Sequence, residues 1–122
     1  MISVKKICVV GGGAAGMMAA GTATLYGADV TIFESTGKLG KKLAITGKGR
    51  CNVTNASAIP DFLESVRKNP RFLYTALSEF DTDDTISFFN SLGVELKTER
   101  GKRVFPTSDK AIDIVRAMQK YC

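Results

Sequence analysis

An α/β fold built on a parallel strand–helix–strand unit is predicted by three features of this 122-residue chain. A β-rich run, Val4–Val10, ends abruptly at Gly11-Gly12-Gly13. Ala14–Tyr26 follows with helix-forming Ala, Met and Leu, and Gly27 stops it. A second β-rich run, Ala28–Phe33, completes a βαβ unit of about 30 residues.

Hydrophobic residues at 44% and charged residues at 24% describe a globular chain rather than a disordered one. The absence of His excludes a Ser-His-Asp triad and imidazole metal ligands, and no metal site is expected. The three cysteines, Cys8, Cys51 and Cys122, are too scattered for a disulfide framework or a C-x-x-C zinc site. Their odd number fits a reducing compartment, so a cytoplasmic protein is expected. Ile7–Ala28 is uncharged and long enough to span a bilayer. Its glycines, and the early break of the apolar run at Gly11, argue against both a membrane span and a signal peptide.

After the βαβ unit, residues 35–60 are rich in Gly, Lys, Thr and Asn and read as loop, with a short helix over Lys41–Ile45. Helices are predicted over Asp61–Asn69, ending before Pro70, and over Arg71–Phe80. A third spans Asp83–Leu92, with Asp81 or Thr82 as N-cap and Gly93 as stop. Val94–Thr98 and Arg103–Phe105 form a hairpin about Arg100-Gly101-Lys102. Thr107 or Ser108 caps a last helix, Asp109–Tyr121, with Asp109 complementing its dipole. Ala111, Ile114, Val115, Met118 and Tyr121 form its apolar face. Cys8, Phe72, Tyr74, Phe80, Phe88 and Phe89 read as core. The organisation is thus a βαβ fingerprint (1–34), a basic loop (35–60), and a helical segment with a hairpin (61–122).

The first chemical motif is Gly11-x-Gly13-x-x-Gly16. Gly11 permits the turn out of the strand, Gly13 lets a pyrophosphate approach the backbone, and Gly16 lets the helix pack closely on the strand. The helix N-terminus at Ala14 and Ala15 offers unpaired N–H groups to phosphates. Glu34, at the end of the second strand, is placed to accept hydrogen bonds from a ribose diol. A carboxylate there disfavours a 2′-phosphate. Together these features predict a Rossmann-like dinucleotide site.

The second motif lies in residues 37–55. No Asp or Glu occurs between Ser35 and Pro60, while Lys38, Lys41, Lys42, Lys48 and Arg50 do. The whole net charge of +5 therefore sits here, which indicates a local anion site rather than a nucleic-acid surface. The spacing is not that of a P-loop. Glycine-rich backbone with cations still suits an extended phosphate-bearing ligand. Arg50 can fork onto phosphate or flavin oxygens, and Asn52, Thr54 and Asn55 add neutral donors and acceptors. Cations beside Cys51 would lower a thiol pKa, although a ligand-lining or packing role is the stronger reading.

ICVVGGGAAG with Glu34, GKLGKKLAITGKGRCNVTN and RVFPTSDKA resemble the BaiN-type, aminoacetone-oxidase-like FAD-dependent oxidoreductases. Thr46–Asn55 (TGKGRCNVTN) is the specific part; the βαβ fingerprint is shared with many glutathione-reductase-like flavoproteins. The resemblance implies FAD as cofactor, with Gly11, Gly13 and Gly16 on its pyrophosphate. Glu34, with Ser35 beside it, would meet the adenosine ribose. Lys41 or Lys42, with Thr46, Gly47, Arg50, Cys51 and Asn52, would line the rest of the dinucleotide and the approach to the isoalloxazine. It further implies a cytosolic oxidoreductase with NAD(P)H as electron donor. No residue stands out as a catalytic acid or base.

Two other classes account for parts of the sequence. A NAD-binding dehydrogenase domain explains residues 4–34 but leaves 37–55 idle. A non-catalytic module for phosphate or nucleic acid explains the charge but not the position of Glu34. Family members run to several hundred residues, so an incomplete domain at the N-terminal end of a flavoprotein is expected. Two parallel strands alone are marginal. Residues 1–122 should therefore hold FAD poorly in isolation, and associate with themselves or with a C-terminal portion.

Overall fold

The computed structural model describes residues 3–122. Strands β1 (Lys6–Val10) and β2 (Asp29–Phe33) pair in parallel, in register from Lys6 opposite Asp29 to Val10 opposite Phe33. Helix α1 (Ala14–Leu25) connects them. Gly11 turns the chain between β1 and α1 with φ +100°, which suits a residue without a Cβ. Gly16 serves the close approach of helix to turn: a Cβ there would collide with the Gly11 carbonyl oxygen.

A second, antiparallel sheet has the order β3 (Thr54–Asn55), β5 (Arg103–Pro106), β4 (Leu96–Thr98). The hairpin is present as read from sequence, turning through Gly101 at φ +73°. The added strand β3 lies inside the segment read as loop; two residues carry too little pattern to be seen. Buried Val104 pairs with both Thr54 and Thr98, making β5 the central strand.

The first two helices of the middle segment are shorter than their sequence predicts. Helix α2 is Ile59–Glu64, with Pro60 in its first turn, so it starts earlier and ends five residues before Asn69. Asn69 is left-handed, at φ +50°, and opens a 3₁₀ turn over Pro70–Leu73 before α3 (Tyr74–Glu79). Helix α4 (Thr82–Ser91) starts at Asp81, whose carboxylate accepts from Asp84 N–H while Asp84 accepts from Asp81 N–H. That reciprocal capping box fixes the start within a residue of its sequence prediction.

Helix α5 (Ala111–Tyr121) corrects two expectations. Asp109 is not in its first turn but in the preceding loop, at φ +57°, and neither Thr107 nor Ser108 is its N-cap; Lys110 is. Its apolar face is covered within the described residues. Ala111, Ile114, Ala117 and Met118 form one core with Met17, Cys51 and Phe89, flanked by Leu39, Leu43 and Val53. Tyr121 is half-buried, and its hydroxyl lies 2.9 Å from that of Thr22 on α1.

Other residues read as core are not. Cys8 is exposed, because the β1–β2 pair has α1 on one side and little on the other. Phe72 is 85% exposed and Tyr74 59%, on the short helices that project from the core; Phe80 is exposed as well. Phe89 is buried, and Phe88 stacks edge-on against both Phe89 and Tyr121. Val10, Phe33, Leu25 and Tyr26 also stay exposed around the parallel pair. No helix among the described residues is long and apolar enough to cross a membrane.

The contact of α1 with the glycine turn gives a sign test. Gly→Ala in a helix ordinarily stabilises by roughly 1 kcal/mol. At Gly16 the added methyl meets backbone, and overpacking typically costs about 1–3 kcal/mol. Gly16→Ala should therefore lower the melting temperature in a thermal scan followed by circular dichroism, and an unchanged or raised value would refute the close contact.

Candidate functional site

Two residues singled out in the first motif, Gly13 and Glu34, line an open cleft of ≈ 440 Å³, whereas Gly11, Ala14, Ala15 and Gly16 are not among its walls. Gly12 and Gly13 form one wall, Glu34 and Thr36 a second, and Lys41 and Lys42 a third. Gly13 is the N-cap of α1 with no side-chain cap, so the first-turn N–H groups of Ala14, Ala15 and Gly16 lack intrahelical partners. A Cβ built on Gly13 meets nothing within 4 Å. The space such a side chain would take is part of the cleft.

Glu34 is oriented by three donors. Gly12 N–H donates to Oε1 at 3.1 Å, and Thr36 donates to Oε2 from both its N–H and its hydroxyl, each at 2.6 Å. The Thr36 hydroxyl and amide, then Gly12, hold this carboxyl below its usual range. The carboxylate stays ionised and keeps acceptor capacity for a diol. Ser35 is exposed in the turn beside it. Thr36 went unnoticed in the sequence, although a hydroxyl two residues past a strand-end carboxylate is a local hydrogen-bonding pattern. Gly12 was missed too: a Cβ there would strike Leu39 and press on Glu34.

The basic segment folds back over the glycine turn. Gly40 N–H donates to the Gly12 carbonyl at 2.7 Å, which carries Lys41 and Lys42 to the cleft. The short helix read at Lys41–Ile45 lies further on, as a kinked 3₁₀ segment over Leu43–Gly49. Thr46 and Gly47 are at the kink, with the Thr46 hydroxyl donating to the Leu43 carbonyl at 2.7 Å.

A second, smaller cleft of ≈ 160 Å³ lies against the start of α1. Ala14, Leu43, Cys51, Asn52 and Phe89 are among its walls, and its lining is largely apolar. Cys51 is buried, and that burial pushes its thiol up, against a smaller opposing effect of a Thr46 hydrogen bond. The activating effect of nearby cations considered from sequence does not prevail, because the thiol is out of water. With its amide oriented by its neighbours, Asn52 donates to the carbonyls of Thr54 and Val104 at 2.9 and 3.2 Å.

Arg50 does not line either cleft. Its Nε and Nη2 donate to Asp109 Oδ1 at 2.9 and 2.6 Å, and Nη2 also to Glu99 Oε2 at 2.5 Å. Neither partner is apparent from sequence, since they lie 49 and 59 residues away.

These elements match the pattern of a dinucleotide site: a glycine turn, an uncapped helix start, and an ionised carboxylate at the end of the next strand. The HI0933-like protein Rossmann domain matches residues 5–122. The chain belongs to that family. It is 34% identical over 117 residues to the 3-dehydro-bile acid delta(4,6)-reductase of Clostridium scindens, covering 94% of this chain and 28% of that protein. It is 31% identical over 114 residues to the ribosomal RNA dihydrouridine synthase of Haemophilus influenzae, covering 93% of this chain and 28% of that protein. The enzyme of the same description from Escherichia coli is 32% identical over 114 residues, again across 93% of this chain and 28% of that protein. The chain thus spans little more than a quarter of these relatives, and the fold and family are those of a dinucleotide-binding Rossmann domain.

Acid sensitivity follows from the carboxylates. Glu34 is depressed by Thr36 and Gly12, Glu99 by Arg50 and then Lys97, and Asp109 by Lys97 and then Arg50. Folded values below the unfolded ones mean stability that is present above the ordinary carboxylate range and lost as pH falls through the folded values. Melting temperatures taken from about pH 7 to about pH 3 should fall more steeply for the wild type than for Glu99→Gln/Asp109→Asn. Superimposable acid limbs would remove these carboxylates from the account.

Proposed function

We propose that this chain is the FAD-binding part of a flavin-dependent oxidoreductase. Residues 1–34 hold the pyrophosphate and adenosine ribose, residues 35–60 wrap the dinucleotide, and residues 61–122 support that loop. The observation that carries the reading is the open space at Gly13, bounded by Glu34 and the uncapped start of α1. A pyrophosphate at Gly13 would meet the N–H groups of Ala14 and Ala15, with Gly11 and Gly16 shaping the turn beneath. Glu34 would accept from the ribose diol, held in orientation by Thr36 and Gly12. Ser35 would border the adenosine end. Lys41 and Lys42 would add positive charge at the phosphates.

Thr46, Gly47, Cys51 and Asn52 would form the approach to the isoalloxazine, along the apolar second cleft. Bound flavin would supply hydride transfer, and the chain's part is binding, orientation and exclusion of water. The reductase and dihydrouridine synthase names of the relatives favour reduction of an organic substrate, with NAD(P)H as the electron source. The remainder of the protein would cover the exposed apolar side chains around β1 and β2 and complete the cofactor site. Three free thiols suit a reducing cytoplasm.

Gly13→Val tests this without disturbing the fold, because a side chain there meets no protein atom near its Cβ. Made in the full-length protein, the purified variant should keep the wild-type far-ultraviolet circular dichroism and lose the flavin absorbance of the wild type. Glu34→Ala should weaken FAD about ten- to a hundredfold, the effect of one charge-assisted hydrogen-bonding group. A Gly13→Val protein that remains fully flavinylated would overturn the assignment.

A further inference from the structure

The turn that carries Thr46–Asn52 is held in a costly shape. Lys48 and Cys51 sit at φ +57° and +59°, the left-handed region, where a side chain costs of order 1–2 kcal/mol per residue. Such backbone persists only where its surroundings over-determine it. Within the turn, Cys51 N–H donates to the Thr46 carbonyl at 3.1 Å, and Arg50 N–H to that of Gly47 at 3.2 Å. From outside it is gripped through Arg50 alone among its cations. Besides its bonds to Asp109 and Glu99, the Arg50 guanidinium lies 4.0 Å from the centre of the Phe105 ring. Lys97 closes the cluster, with Nζ 2.9 Å from Asp109 Oδ2 and 3.3 Å from Glu99 Oε2. Two cations face two anions, so the cluster is internally balanced. It joins three segments distant in sequence: the turn, the end of β4, and the loop leading into α5.

We propose that Arg50 is a positioning residue: anchored by Glu99 and Asp109, it locks the strained 46–52 turn so that Cys51 stays buried and Asn52 borders the smaller cleft, and it does not itself touch the dinucleotide. The consequence for cofactor binding rests on the flavin reading above; the lock itself rests only on contacts within this chain. Because Arg50 and Asp109 are one-third to nearly one-half exposed, salt should loosen the lock.

Cys51 reports the lock without any cofactor. In a Cys8→Ser/Cys122→Ser background it is the sole thiol, and its rate of reaction with an aromatic disulfide reagent measures opening of the turn. Arg50→Gln, and separately Glu99→Gln/Asp109→Asn, should raise that rate about tenfold or more while the amides of β1 and α1 keep their hydrogen-exchange protection. Added salt should raise the rate in the parent protein. Arg50→Lys should fall between, since one ammonium cannot reproduce the fork onto two carboxylates. Unchanged Cys51 rates in both variants would overturn the lock. So would a rise matched by an equal loss of protection in β1 and α1, which would mark ordinary global destabilisation. FAD titration of the full-length protein separates the two readings: a wild type that fails to bind FAD while the thiol results hold would sink the flavin reading alone. A full-length wild type that binds FAD only as tightly as its Arg50→Gln variant would sink the positioning role.

Discussion

Gly12 is the residue on which the larger cleft depends. Its N–H donates to Glu34 Oε1 and its carbonyl accepts from Gly40 N–H. One residue thereby ties the end of β2, the glycine turn and the basic loop into a single rim. The geometry tolerates no side chain, because a Cβ would enter the volume of Leu39 and crowd Glu34. The two outer glycines of the motif turn the chain and admit α1, while the middle pair faces the cleft: Gly12 fixes the walls and Gly13 leaves the space between them.

The parallel unit was legible because each of its signals is local. A β-rich run, a glycine turn, a helix-forming stretch and a carboxylate at a fixed distance all lie within 34 residues, and the secondary structure differs there only at element ends. The capping box at Asp81 and Asp84 was legible for the same reason. Elements fixed by distant partners were not. The two-residue strand β3 exists because β5 offers a free edge, and Asp109 reads as a helix-start charge until Arg50 and Lys97 are brought to it by the fold.

Burial was the least legible property. An alternating strand such as β1 suggests a core position for Cys8, but a strand buries a side chain only where a layer covers that face. Phe72 and Tyr74 have helical spacing, yet they fall in a 3₁₀ turn and a helix of six residues that lie apart from the main core. Helix α5 shows the converse. Its apolar stripe, which sequence alone leaves without a partner, finds α1, Cys51 and Phe89 within the same 122 residues. Core formation and the basic loop are thus coupled: the residue after Arg50 belongs to the hydrophobic core, so the loop that borders the second cleft is part of what holds the helices together.

The central claim is that the larger cleft recognises the adenosine diphosphate half of a dinucleotide. Nuclear magnetic resonance titration of the ¹⁵N-labelled chain with ADP tests this most directly, because it needs neither an isoalloxazine nor a complete flavin site. The account predicts chemical-shift changes concentrated at Gly11–Gly16, Glu34–Thr36 and Lys41–Lys42, with FMN, which lacks the adenosine, leaving those amides unmoved. Shifts scattered over the lysines of the surface, or FMN perturbing the glycine turn as strongly as ADP does, would contradict it.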